Sequence, residues 1–159
     1  MIKNEPRQAL RTDIPGMHRV RLAVRENPLT SNVIREEHYV PEIEVSGRGW
    51  VIEEAGEIVA FAVGNLHKRN IWALFVAPGH ERKGYGRSLH DVMVQWLFDQ
   101  GLDSIWLSTG AGTRAQGFYE MAGWSFTRQL DDGERFYELH RDAAEQIPAN
   151  SSNLPGTRP

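Results

Sequence analysis

The sequence predicts a single-domain, mixed α/β fold, and three observations carry that prediction. Hydrophobic periodicity switches along the chain, from helical spacing to strand patterns at Trp50 and back to helical spacing at Tyr85. A continuously apolar run, Ile58-Val59-Ala60-Phe61-Ala62-Val63, has the composition of a strand buried on both faces. Finally, Leu74 to Leu89 reads as a strand that ends at Pro78-Gly79, a short basic glycine-bearing loop, and a helix that begins at once. The chain has 159 residues, with 40% hydrophobic and 25% charged side chains, which is enough for one domain with a real core.

From the N-terminus, residues 7–11 are assigned to a first strand. Asp13 before Pro15 marks a helix start. Met17, Val20 and Val24 form its apolar face, and Asn27-Pro28 closes it. Residues 31–39 are assigned to a second short helix, capped by Ser31 or Asn32 and closed by Pro41. Trp50–Glu54 and Glu57–Asn65 form a hairpin about Ala55-Gly56. Leu66 to Arg69 is a polar turn, and Asn70–Val76 is the next strand. The helix that follows carries Tyr85, Leu89, Val92, Met93, Trp96 and Leu97 on one face and ends near Gln100, with Gly101 suited to the position after its end. Ser104 to Thr109 is a buried strand, and Gly110-Ala111-Gly112 is a flexible connector. Thr113 and Gln116 have capping-box spacing, Ala115, Phe118, Tyr119 and Ala122 share one helical face, and Gly123 stops that helix. Trp124–Leu130 and Arg135–Leu139 form a last hairpin about Asp132-Gly133. The folded domain is assigned to residues 1–140. Residues 141–159, rich in Pro, Ser, Asn and Gly, read as a disordered tail.

Composition excludes several classes of function. A formal net charge of −3 argues against general affinity for nucleic acid. With no cysteine, disulfides, thiolate metal sites and cysteine nucleophiles are excluded. The six histidines, at 18, 38, 67, 80, 90 and 140, show no metal-ligand spacing, so no metal site is expected. No apolar run is long enough to span a bilayer, and the first residues lack the apolar core of a signal peptide. A cytoplasmic location is the expectation.

The loop at Arg82-Lys83-Gly84-Tyr85-Gly86-Arg87-Ser88 carries the chemistry. A helix that starts here points unpaired backbone N–H groups and the positive end of its dipole into the loop. Arg82, Lys83 and Arg87 add charge, so the stretch reads as a phosphate or pyrophosphate site. A plain tight turn is the alternative. Leu89 occupies the third glycine position of a dinucleotide fingerprint, and Tyr85-Gly86 replace the Lys-Ser/Thr of a Walker A loop.

Two segments together resemble the GNAT N-acetyltransferase superfamily, over roughly residues 7–140. Val76-x-Pro78 followed by Arg82 to Leu89 is similar to the family's pyrophosphate loop, Gln/Arg-x-x-Gly-x-Gly/Ala. Thr113 to Trp124 is similar to its Ala-x-x-Phe-Tyr-x-x-x-Gly-Phe segment. Two positions depart from the pattern: Glu81 stands where the loop motif has Gln or Arg, and Gly112 stands where an asparagine is frequent.

The resemblance implies a mostly antiparallel sheet flanked by helices, with acetyl-CoA as co-substrate and a small-molecule or peptide amine as acceptor. It implies direct attack of that amine on acetyl-CoA in a ternary complex, with the pantetheine arm lying where the strands on either side of the loop-helix unit splay apart. Cofactor contacts are assigned to Phe75, Val76, Arg82, Lys83, Gly84, Tyr85, Gly86, Arg87 and Ser88. A backbone N–H near Val76 would hold the carbonyl oxygen. Tyr119 becomes the general acid for the departing thiolate, against the alternative of a core tyrosine. No acid lies on Asn70–Val76. Glu53, Glu54 and His67 are the nearest base candidates and read equally as surface residues; a water relay or a neutral acceptor would serve instead. Trp72 and Trp106 flank the acyl position or pack in the core. Glu36, Glu37 and His38 either greet a cationic amine or form a solvated helix face. A homodimer through the last strands fits the family, and neither nucleic acid nor membrane is expected as a partner. A non-catalytic acyl-CoA-binding module is the rival reading.

Overall fold

The computed structural model describes residues 4–24 and 34–145. The chain divides into two compact units, Met1–Gly101 and Leu102–Pro159, each described by itself.

In the first unit, strands β1 (Arg7–Gln8), β2 (Gly47–Glu54), β3 (Glu57–Asn65) and β4 (Asn70–Val76) lie side by side in that order, each antiparallel to its neighbour. The apolar run of β3 is buried from Ile58 to Asn65, as expected for a strand covered on both faces. Ala55 and Gly56 both have left-handed φ, 52° and 82°, which gives the β2–β3 hairpin the twist of a two-residue primed turn. On one face, helices α1 (Ile14–Ala23) and α2 (Tyr39–Glu44) enclose Met17, Val20, Tyr39, Val51, Phe61, Val63 and Ala73. The other face is covered by α3 (Tyr85–Asp99), whose Leu89, Met93 and Leu97 are fully buried one turn apart. Gly64 lies directly under Met93 and Leu97. Each such fully buried side chain contributes about 1.5–3 kcal/mol.

A bulge between β3 and β4 matters for the site. Val63 pairs with Ala73 and Gly64 with Ile71, so Trp72 is the extra residue. The bulge turns its ring onto the face of Ala73 and Phe75, against the α1–α2 core.

In the second unit, β5 (Ser104–Gly110), β7 (Glu134–His140) and β6 (Ser125–Gln129) form an antiparallel set with β7 central. Helix α4 (Arg114–Met121) follows β5, and Ile105, Leu107, Tyr119, Trp124, Tyr137 and Leu139 are buried. Among the described residues no helix is long and apolar enough to cross a membrane.

Several boundaries differ from the sequence reading. The first strand is only Arg7–Gln8, because Leu10 accepts from Asp13 N–H and the chain turns into a 3-10 segment at Arg11–Asp13. Helix α1 ends at Ala23; the proposed stop at Asn27-Pro28 and the caps Ser31 and Asn32 lie outside the described residues. The second helix comes later than expected, after a 3-10 turn at Glu36–His38. Pro41 lies inside it rather than after it, in the first turn, where its missing N–H has no helical partner to lose. Strand β2 begins at Gly47, not Trp50, and β5 extends through Gly110. Residues Arg141–Glu145 form a short helix, α5, where the sequence reads as tail: Arg141 donates from its backbone to Asp103 O and from its guanidinium to Leu102 O. Residues 146–159 lie outside the described residues.

Candidate active site

Strand β4 delivers the chain into the loop. Ala77 N–H donates to Val59 O at 2.8 Å, so by antiparallel alternation Phe75 also turns its backbone groups toward β3, and Val76 turns its own toward the opposite edge. The Val76 amide is thus the one aimed away from β3, as an oxyanion donor requires. The Phe75 side chain packs on Phe61 at 5.7 Å between ring centres, inside the α1–α2 core.

The loop closes on itself. His80 N–H donates to Ala77 O at 3.0 Å, and Gly79 N–H donates to the Glu81 carboxylate at 2.9 Å. Glu81 therefore spends an oxygen on the turn instead of facing an anion. Arg82 has φ 68° and Gly84, the N-cap of α3, has φ 84°. Left-handed backbone at Gly84 lets the loop enter the helix abruptly. The N–H groups of Tyr85, Gly86 and Arg87 then stand in the first turn, where no helical carbonyl reaches them, while Ser88 N–H already bonds Gly84 O at 3.0 Å.

The side chains around the loop are more occupied than the sequence suggests. The Lys83 ammonium lies 3.1 Å from Glu54 and 3.1 Å from His80. Arg87 pairs with Asp91 one turn on, at 3.0 Å. Tyr85 donates its hydroxyl to Glu54 and accepts from Asn4 at 3.2 Å. The Tyr85 bond, then Lys83, hold the Glu54 carboxyl below the usual glutamate range. Arg82 is exposed. The first-turn backbone amides, with the exposed Arg82 beside them, are thus what the loop has to offer an anion.

The base candidates are paired or exposed. Glu53 binds Arg7 at 3.0 Å, Glu54 is held by Tyr85 and Lys83, and His67 is exposed in the β3–β4 turn. Glu36 and Glu37 are exposed, and His38 accepts the Arg35 N–H at 2.9 Å, which makes that segment a solvated, self-capped turn.

Under Trp72 and Phe75 lies a feature the sequence reading passed over. Arg21, on the inner face of α1, is 2% exposed, and its guanidinium carbon stands 4.8 Å from the Trp72 ring centre, 4.9 Å from Phe75 and 5.8 Å from Tyr39. Burial pulls its pKa down. Next to it, His18 Nδ1 is 3.1 Å from the Tyr39 hydroxyl. Burial lowers the His18 pKa and pushes Tyr39 up to about 12. The signal was present: Arg21 falls one turn after Met17 and beside Val20, within an apolar stripe.

In the second unit half of the predicted capping box is present, and the Gln116 side chain reaches one residue further back, to Gly112 rather than to Thr113. Thr113 Oγ1 accepts from Gln116 N–H at 3.2 Å, and Gln116 accepts from Gly112 N–H at 2.6 Å. The helix C-terminus is a Schellman closure, with Gly123 N–H on Glu120 O at 3.2 Å and Trp124 N–H on Tyr119 O at 3.0 Å. Its apolar contact is Trp124 edge-on to Tyr119, 5.6 Å between ring centres. Tyr119 is buried between Trp124 and Phe118, and burial alone raises its hydroxyl above the ordinary tyrosine value. Trp106 stacks on Phe136 at 5.2 Å.

Comparison with known proteins fixes the family. Residues 14–124 match the model of the acetyltransferase (GNAT) family. A search of curated proteins finds no match. Similar solved structures include the ribosomal-protein-S18-alanine N-acetyltransferase of Escherichia coli, at 20% identity and TM-score 0.71, covering 86% of this chain and 93% of that one. A GNAT acetyltransferase of Staphylococcus aureus Mu50 has 20% identity and TM-score 0.72, with 86% and 98% covered. The PaiA N-acetyltransferase of Thermoplasma acidophilum, solved with coenzyme A, has 12% identity and TM-score 0.70, with 87% and 99% covered. At these identities the likeness to the solved structures is one of fold. The family match spans both the β4–loop–α3 segment and the Thr113–Trp124 segment, and the chain belongs to the acetyltransferase (GNAT) family of acyltransferases.

Proposed function

We propose that this chain transfers the acetyl group of acetyl-CoA to an amine by direct attack in a ternary complex. The observation that carries the reading is the β4–loop–α3 junction. There Gly84 opens the helix in a left-handed conformation and the first-turn amides of Tyr85, Gly86 and Arg87 converge on the loop. Those amides, with Arg82, suit the pyrophosphate of acetyl-CoA. Lys83 joins them on leaving Glu54, and Arg87 and Ser88 line the same turn.

The acceptor nitrogen attacks the carbonyl carbon, and the Val76 amide steadies the oxygen as it gains charge. The C–N bond forms, the C–S bond breaks, the leaving thiolate takes the Tyr119 hydroxyl proton, and the proton shed by the acylated nitrogen returns through solvent to the tyrosinate. An alkyl ammonium has an ordinary pKa near 10.4 and must lose a proton before attack. With β4 lacking an acid and Glu53 and Glu54 engaged, that proton passes to water or the acceptor arrives neutral.

The test has two parts. Calorimetry should register acetyl-CoA binding, and free thiol should appear when acetyl-CoA is mixed with an amine panel. Lack of acetyl-CoA binding at millimolar concentration overturns the cofactor reading. Tight binding without turnover on any amine overturns acetyl transfer.

A further inference from the structure

We propose that Arg21 anchors a carboxylate on the acceptor, so that the amines acetylated are amino acids or other amines bearing a nearby carboxylate. This rests on the acetyl-transfer reading and names its substrate class.

Arg21 is buried on the inner face of α1, and its Nε and Nη1 have no hydrogen-bond partner among the described residues. The rings of Trp72, Phe75 and Tyr39 lie within 6 Å of its guanidinium carbon. Aromatic faces attract a cation, but they accept no conventional hydrogen bond from its N–H groups. Those groups are rarely left unsatisfied in a folded interior. The nearby Tyr39 hydroxyl is engaged with His18. Arg21 is therefore a desolvated cation whose Nε and Nη1 carry no carboxylate from among the described residues.

The setting ties the charge to the reaction. Trp72 is the bulge residue of β4, and Phe75 immediately precedes Val76, the residue whose amide turns away from β3. Arg21 thus supports the end of the strand assigned to the acetyl group. A ligand seated there meets a buried positive charge. An anionic group gains charge-assisted hydrogen bonds, which are strongest out of water, whereas a polycation is repelled. One guanidinium balances one carboxylate; a phosphate dianion would leave a net buried negative charge. The aromatic rings in turn favour an apolar body on the acceptor.

The experiment is thiol release from acetyl-CoA by the full chain with matched acceptors: L-phenylalanine against L-phenylalaninamide, glycylglycine against glycylglycinamide, and spermidine. The amide of each pair has the less basic amine, so intrinsic availability of the neutral amine favours it. We expect kcat/KM to favour the carboxylate in at least one pair, by about 10-fold or more, the size expected for hydrogen bonds to a charged group. In Arg21→Gln, KM for that acceptor should rise by about 10- to 100-fold and the ratio should fall to one or below, while acetyl-CoA affinity by calorimetry is unchanged. Arg21→Lys should restore part of the preference. A wild-type ratio of one or below in both pairs, turnover with spermidine alone, or an Arg21→Gln ratio equal to wild type overturns the proposal while acetyl transfer stands. If Arg21→Gln does not fold, the wild-type ratio decides. If no amine releases thiol, acetyl transfer itself fails and the proposal with it.

Discussion

Tyr85, the first residue of α3, donates its hydroxyl to Glu54, the last residue of β2. The hairpin end and the anion-binding end of the helix are thus tied together, and the same carboxylate draws Lys83 to itself. Glu54 steadies the loop and holds Lys83, which on the proposed function would otherwise be available to the pyrophosphate. Glu54→Gln keeps an acceptor for Tyr85 and removes the charge. Acetyl-CoA affinity should rise about two- to fivefold, the range of an exposed ion pair. The gain should shrink at high salt. Calorimetry at two ionic strengths checks this; weaker binding in Glu54→Gln would show that the carboxylate itself organises the loop.

How far such a site is legible in the sequence depends on the range of the forces that build it. The loop–helix junction is local: Gly84, the first-turn amides and the Leu89-Met93-Leu97 stripe are all set within twenty residues and legible there, whereas Val92 and Trp96, read onto the same face, are only half-buried. The Thr113–Gln116 cap and the Gly123 stop are local in the same way. Glu54–Tyr85 is a long-range pairing, and nothing around Glu54 distinguishes it from a surface acid. Arg21 sits in a visible apolar stripe, but what makes it unusual is Trp72, Phe75 and Tyr39, brought over it by the sheet and a bulge. The late start of α2 is hidden because Pro41 reads as a stop, although a first-turn proline gives up no helical hydrogen bond.

Gly84 has a second consequence. At φ 84° a side chain costs about 1–2 kcal/mol. Gly84→Ala should lose stability by that amount and also weaken acetyl-CoA, because relief of strain displaces the amides at the start of α3. Gly133, at φ 90° in the β6–β7 turn with open space around it, is the control. Gly133→Ala should lose comparable stability with acetyl-CoA affinity unchanged. Urea unfolding and calorimetry on both variants separate the effects; equal affinity in the two would remove the loop amides from binding.

Asp13 supplies a pH dependence. It takes both ends of the Arg7 guanidinium, each at 2.9 Å, and the Leu10 N–H at 2.8 Å. The Arg7 hydrogen bond is the main cause of its lowered pKa, burial opposing it. Since the folded value lies below the ordinary 3.8, the unfolded chain binds the proton more readily. The stabilisation is complete above pH 3.8 and disappears as the pH falls through the folded value. Asp13→Asn should cost about 1–2 kcal/mol at neutral pH. Its deficit against wild type should close in acid. Urea titrations at neutral and acid pH measure this, and a deficit that does not change with pH would mean that the charge contributes nothing.

Tyr119 offers the sharpest separation of roles. Its ring is held by Phe118 and Trp124, and the backbone beneath it by the Gly123–Trp124 closure. Tyr119→Phe keeps those contacts and removes only the hydroxyl, so stability should change by no more than about 1 kcal/mol. If the hydroxyl protonates the leaving thiolate, kcat should fall by about 10²–10⁴ with acetyl-CoA affinity unchanged. Burial raises the Tyr119 pKa above its ordinary 10.0, so the acid stays protonated through the neutral and mildly alkaline range. The wild-type rate should therefore not decline from loss of this proton at any pH up to 10.0, whereas it rises as the acceptor amine becomes neutral. A kcat of Tyr119→Phe equal to wild type would return Tyr119 to the core and assign the proton to solvent, whereas an alkaline fall in the wild-type rate below pH 10.0 that the variant lacks would keep Tyr119 as the acid and overturn its raised pKa.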